Sequence, residues 1–103
     1  MAVVVHKFPF SNELPEEQII TMPVGAVILC AKMKEDGEAA IWALVDENPT
    51  AYEGRTFIIV GTGHVIKERE GNVWVKYVDT ILDDRNGTYT YVWHVFEVVT
   101  HGK

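Results

Sequence analysis

Two long apolar-rich runs, Val73 to Leu82 and Tyr89 to Val99, flank an Asn86-Gly87 pair near the end of the chain. Asn-Gly supplies the two φ > 0 residues of a type I′ turn, so the runs read as the arms of a β-hairpin. With Arg85 opposite Thr88, one face pairs Ile81 with Val92, Asp79 with His94, Tyr77 with Phe96 and Val75 with Val98. The other pairs Leu82 with Tyr91, Thr80 with Trp93, Val78 with Val95, Lys76 with Glu97 and Trp74 with Val99. Both faces are mostly apolar, so this ribbon requires cover on each side.

Upstream, the same alternation recurs in shorter pieces. Val3 to Phe10 is a strand with Pro9 near its end or on an edge. Glu13 to Glu17 has room for one helical turn, and Gln18 to Met22 is a short β-rich run closed by Pro23, Val24 and Gly25. Ala26 to Lys34 reads as a strand whose apolar set, Val27, Leu29, Ala31 and Met33, is expected to face the core. Glu35, Asp36 and Gly37 turn it into Ala39 to Val45 as a second hairpin. Asn48 to Gly54 is the longest expected loop, Arg55 to Val60 a strand, and Gly71 and Asn72 the φ > 0 candidates before the last ribbon. About seven short strands with no long amphipathic helix predict one all-β domain over residues 1–103: an antiparallel β-sandwich or small barrel built from consecutive hairpins. Residues 1–2 and 100–103 are expected to fray.

Composition narrows the function classes. Nine basic against fifteen acidic residues give a formal charge of −6 over 103 residues, which repels a duplex nucleic-acid backbone overall. No run approaches the ~18 consecutive apolar residues of a membrane span, and the opening Met-Ala-Val-Val-Val-His-Lys has no signal-peptide pattern, so a cytoplasmic location is expected. The single Cys30 cannot pair within the chain and fits a small residue in or near the core. His6, His64, His94 and His101 are scattered, without the local spacing of a metal site, and no metal or cofactor is expected.

Gly61-Thr62-Gly63-His64 is the best local candidate for a ligand loop. Its glycines allow close backbone approach and N–H donation to an anion, with Thr62 and His64 adding polar side chains. It lacks the endings of either nucleotide fingerprint, and a bend or bulge is the plain structural alternative. Arg55, at the start of the strand leading to Gly61, offers a fork for phosphate or carboxylate, and His94 is within the expected reach. Asp79 beside His94 is the second candidate, either a carboxylate–imidazole unit or a polar pair pinning register. Lys76 opposite Glu97 reads as a solvated cross-strand ion pair. Trp42, Trp74, Trp93, Tyr77, Tyr89 and Tyr91 exceed what so small a core needs, so part of the ribbon is expected to meet a second subunit in a homo-oligomer.

The segments Ile41-Trp42-Ala43-Leu44-Val45-Asp46, Arg55 to His64 and His94-Val95-Phe96-Glu97 together resemble a family of small, functionally uncharacterised proteins of tailed phages and prophages. Lys7-Phe8-Pro9-Phe10 and Gln18 to Ala26 resemble its leading segments. The resemblance implies a phage origin, hence a host-cell cytoplasmic setting, and a single small domain. It implies no activity. Three function classes follow: a non-enzymatic binder that sequesters a small anionic molecule such as a host nucleotide signal, an assembly or accessory protein acting through apolar β surfaces, and a small hydrolase using His64, His94 and Asp79.

Overall fold

Period-two alternation becomes seven strands in the computed structural model, which describes residues 2–11, 15–34, 37–71, 73–84, 87–88 and 90–100. They are β1 (Val3–Pro9), β2 (Glu17–Pro23), β3 (Val27–Met33), β4 (Ala39–Asp46), β5 (Tyr52–Gly61), β6 (Val73–Asp83) and β7 (Tyr91–Thr100). Among the described residues there is no helix. Of the helical turn expected at Glu13 to Glu17, residues 13–14 lie outside the described residues, while Pro15 and Glu16 are not helical and Glu17 already belongs to β2.

The strands form two antiparallel sheets, β1-β4-β3 and β2-β5-β7-β6, packed together as a small sandwich without barrel closure. Two connections are hairpins, β3–β4 and β6–β7. The others pass between sheets or across one, so the consecutive hairpins of the sequence reading reduce to these two. β5 and β6 are both antiparallel to β7, therefore parallel to each other, and parallel strands in one sheet need a crossover. That crossover, residues 62–72, is the longest connection; the expected loop at Asn48 to Gly54 is shorter because β5 already begins at Tyr52. Ile58 and Val60 alternate with the core residues Phe57 and Ile59 and so point away from the opposite sheet, yet both are buried. The crossover accounts for this by lying against that outer face, with Arg69 Nη2 bonded to Glu17 Oε1 of β2 at 2.6 Å.

The core fills the space between sheets. Met22, Ala31, Ile41, Ala43, Phe57 and Val95 are fully enclosed there, with Phe10 edge-on to Phe57 at 6.2 Å. A bulge between Ile28 and Cys30 changes the phase of β3: Ile28, Ala31 and Met33 face the core, while Val27 and Leu29 are 55% and 49% exposed. The expected inward set of Val27, Leu29, Ala31 and Met33 is therefore corrected in its first half. A bulge inserts one residue and flips the alternation on one side of it.

The same device alters the C-terminal ribbon. From Val73 to Tyr77 the pairing is as expected, with Trp74 opposite Val99, Val75 opposite Val98, Lys76 opposite Glu97 and Tyr77 opposite Phe96. Past a bulge at Val78 it is displaced by one residue, so Asp79 faces Val95 and Thr80 faces His94. The expected pairing of Asp79 with His94 is thus overturned. At the turn, Gly87 is left-handed (φ 76°) and its N–H donates to the Asp84 carbonyl at 3.1 Å, but the ladder ends with Asp83 opposite Tyr91, so residues 84–90 join the strands in place of the expected two-residue Asn86-Gly87 loop. Arg85 and Asn86 lie outside the described residues. Gly71 has φ 73°, as expected, while Asn72 lies outside the described residues. Of the ends expected to fray, Ala2 accepts a hydrogen bond from Glu47 N–H at 3.0 Å and Thr100 pairs with Val73. Met1 and 101–103 lie outside the described residues.

Candidate functional site

The glycine segment is first a turn. His64 N–H donates to the Gly61 carbonyl at 3.1 Å, and Gly63 has φ 84° at the third turn position, where a type II turn requires a left-handed residue. The need for glycine at 63 is met by backbone geometry alone. Around it, Gly61 pairs with Trp93, and a shallow groove of about 310 Å³ is lined by Gly61, Thr62 and Thr90 to Trp93. The His64 side chain is exposed, its Nε2 3.6 Å from the Glu16 carboxylate. Tyr91 stacks on Trp93 at 6.0 Å, and the Trp93 indole N–H is buried with no hydrogen-bond partner among the described residues.

Thr62 and His94 do come together. Thr62 Oγ1 lies 2.8 Å from His94 Nε2, His94 Nδ1 lies 3.3 Å from Thr80 Oγ1, and Thr80 Oγ1 lies 2.8 Å from the Tyr77 hydroxyl. This four-member chain occupies both imidazole nitrogens. It joins the start of the crossover to β7 and β6, with a hydroxyl oxygen at each imidazole nitrogen. Asp79 is on the other face of β6. There it accepts from Ala31 N–H at 3.1 Å and from Thr80 N–H at 2.8 Å, and it pairs with Lys32 at 3.1 Å. Burial works against the charged form, but the two amide donors and the Lys32 ammonium outweigh it and hold the Asp79 carboxyl below its usual range. His64, His94 and Asp79 therefore do not converge. Among the described residues no three His, Cys, Asp or Glu side chains come together as a metal-holding group.

Arg55 stands apart from the glycine turn. It lies six residues earlier in β5, roughly 20 Å along an extended strand. Its side chain is mostly buried, with Nε and Nη2 bonded to the two oxygens of Glu97, the second at 3.0 Å, and Nη1 donating to the Ala26 carbonyl at 2.9 Å. Glu97 is only 5% exposed, since it shares the inward face of β7 with Val95. The Glu97 hydrogen bonds raise the Arg55 pKa against the effect of burial, and the Glu97 and Glu53 charges add to this, so the guanidinium stays charged. Lys76 is opposite Glu97 in register, yet the carboxylate serves Arg55 instead. The expected solvated Lys76–Glu97 pair is replaced by a buried Arg55–Glu97 pair, and Lys76 has no ion-pair partner among the described residues. A cleft of about 250 Å³ opens beside this pair, lined by Ala26 to Ile28, Arg55, Lys76 to Val78 and Glu97, where the edges of β3 and β6 draw apart.

The model of one family, described as a domain of unknown function (DUF7352), matches residues 1–103. The chain belongs to this family. No curated protein and no solved structure matches it. The description of DUF7352 attaches no activity, so within this DUF7352 chain the chemistry is read from the clefts themselves. In the Arg55 cleft that chemistry combines a guanidinium held in place by three hydrogen bonds, its Glu97 partner, an ammonium with no ion-pair partner among the described residues and a tyrosine ring. Sequence reasoning reached Arg55 but not Glu97, Lys76 or Tyr77 as its neighbours. One signal was available for Glu97, a carboxylate two residues from Val95 on an apolar face, which has to find a buried cation.

Proposed function

We propose that the chain is a phage-encoded, non-enzymatic binding protein that holds a small anion-bearing molecule in the Arg55–Lys76 cleft. The observation that carries this reading is charge. The cleft lining contributes Arg55, Lys76 and Glu97, a net +1 on a chain whose formal charge is −6. Glu97 already has both oxygens on Arg55, which leaves Lys76 as the surplus cation beside a guanidinium fixed in place. Because Arg55 is locked before any ligand arrives, little side-chain entropy is lost on binding. At about 250 Å³ the cleft is smaller than most ligand pockets, which start near ~300 Å³, and suits a molecule no larger than a mononucleotide. The lining holds no Ser, Cys or His beside a base, which supports retention without turnover. The phage origin rests on the segment resemblance described above.

Isothermal calorimetry at low salt, with inorganic phosphate and a panel of mono- and dinucleotides, tests the proposal. Lys76→Ala is expected to weaken binding by about tenfold or more without changing the melting temperature, since Lys76 is exposed and unpaired. Binding that is indifferent to Lys76→Ala, or none to any member, would reject it. Time-dependent conversion of a bound nucleotide would instead make the protein an enzyme.

A further inference from the structure

Among the described glycines, Gly61 stands out because neither its backbone nor its packing requires glycine. Gly25, Gly37, Gly63, Gly71 and Gly87 are left-handed, and a Cβ at Gly54 would meet Ile19 Cγ2 at 2.9 Å. Gly61 is not left-handed, and nothing lies within 4 Å of where its Cβ would stand. It ends β5, and a glycine in a strand weakens the strand and often marks the close approach of a ligand. Its cross-strand partner is Trp93, so the missing side chain and the indole belong to one face of the sheet. The indole does not fold over the glycine, since it too stays beyond 4 Å of the Cβ position. Gly61 lines the groove it shares with Thr62 and Thr90 to Trp93, and the space left by its missing side chain adds to that groove.

We infer that this groove is a second ligand site, separate from the Arg55 cleft, for an uncharged planar ring of nucleobase size that carries a carbonyl or ring-nitrogen acceptor. No charged side chain lines it, and the ladder partner of Tyr91 is the carboxylate Asp83, so nothing there favours an anion. Tyr91 already stacks on Trp93, with ring centroids 6.0 Å apart and 26° between the planes, and a further flat ring extends that stack. The Trp93 indole N–H is enclosed with no acceptor among the described residues, and a buried donor is costly to the fold until one arrives. Tyr91, 42% exposed, is the wall that turns to let the acceptor reach it. Thr62 Oγ1, 2.8 Å from His94 Nε2, fixes the rim beside Gly61. At about 310 Å³ the groove lies at the lower end of the ~300–1,000 Å³ of ligand pockets, which suits one ring system.

NMR of the nitrogen-15-labelled protein, titrated with adenine, uracil and nicotinamide to ~5 mM, tests the inference. At least one of the three is expected to bind and to shift the Trp93 indole resonance, which Trp93→Phe identifies by its loss. Gly61→Ala and Gly61→Val fill the open space without backbone strain. They are expected to weaken that binding by about threefold and by more than about tenfold, with an unfolding midpoint equal to or above that of the wild type. Lys76→Ala, which disables the Arg55 cleft, is expected to leave it unchanged. Binding of none of the three would overturn the inference, and so would binding that Gly61→Val leaves intact, since the ring would then lie elsewhere. A lower unfolding midpoint in Gly61→Val would overturn it as well, because the glycine would then serve the fold.

Discussion

Removing Arg55 while leaving Glu97 in place should be among the most damaging single changes in this protein. Glu97 is 5% exposed, and both of its oxygens bond to the guanidinium. Arg55→Leu deletes these two charge-assisted bonds and the bond to the Ala26 carbonyl, and it strands a carboxylate that water reaches poorly. Breaking a buried pair from one side costs about 3–5 kcal/mol, a large share of the roughly 5–15 kcal/mol that holds a domain of this size. Lys76, opposite Glu97 in register, is positioned to recapture part of that loss, so Arg55→Leu/Lys76→Ala should lose more than the two changes summed. Arg55→Leu/Glu97→Leu should be less destabilised than Arg55→Leu alone, because the stranded charge is gone and the site is repacked with apolar volume. Urea unfolding at 25 °C measures all of these, provided the slope of ΔG against denaturant is unchanged among the variants. A cost below about 1 kcal/mol for Arg55→Leu, or a double variant as unstable as the sum of its parts, would refute the argument that Glu97 depends on Arg55.

Asp79 has its folded-state pKa held below the 3.8 of a free aspartate, so its stabilisation is fully present above that value and is lost as pH falls through the folded pKa. Urea midpoints measured through the acid range should therefore fall less steeply in Asp79→Asn than in the wild type, and identical slopes would exclude the Ala31 and Lys32 contacts in solution. Gly87→Val should cost about 1–2 kcal/mol in thermal unfolding, purely from backbone strain, since nothing lies within 4 Å of a Cβ at that position. The β3 bulge is testable by contrast: Leu29→Ser should change stability by less than about 0.5 kcal/mol, whereas Ala31→Leu, at a position with no exposed surface, should cost about 1–3 kcal/mol. Equal effects at the two positions would restore the uninterrupted alternation that the sequence suggests.

The strands were legible in the sequence because each is specified locally. Short apolar and β-branched runs in β1, β4 and β7, and turn residues such as Gly37 and Gly87, act over a few positions, and seven strands in an all-β domain follow from them. The two hairpins were legible for the same reason. What the sequence left open depends on partners far apart in the chain. The bulges at Leu29 and Val78 sit where the edges of β3 and β6 approach, joined by Asp79 to Ala31 across 48 residues, and no local pattern encodes that meeting. One extra residue in each strand then redirected every side chain beyond it, sending Asp79 away from His94 and Leu29 out of the core. The candidate site divides along the same line. Arg55 could be picked out as a cation at the start of a strand, and Gly63 as a glycine free to turn. Only the sheet order β2-β5-β7-β6 set Arg55 beside Glu97, 42 residues later, and parted it from Gly61 by the length of its own strand. A buried charge takes whichever partner the packed sheets present to it, and that choice is made in three dimensions.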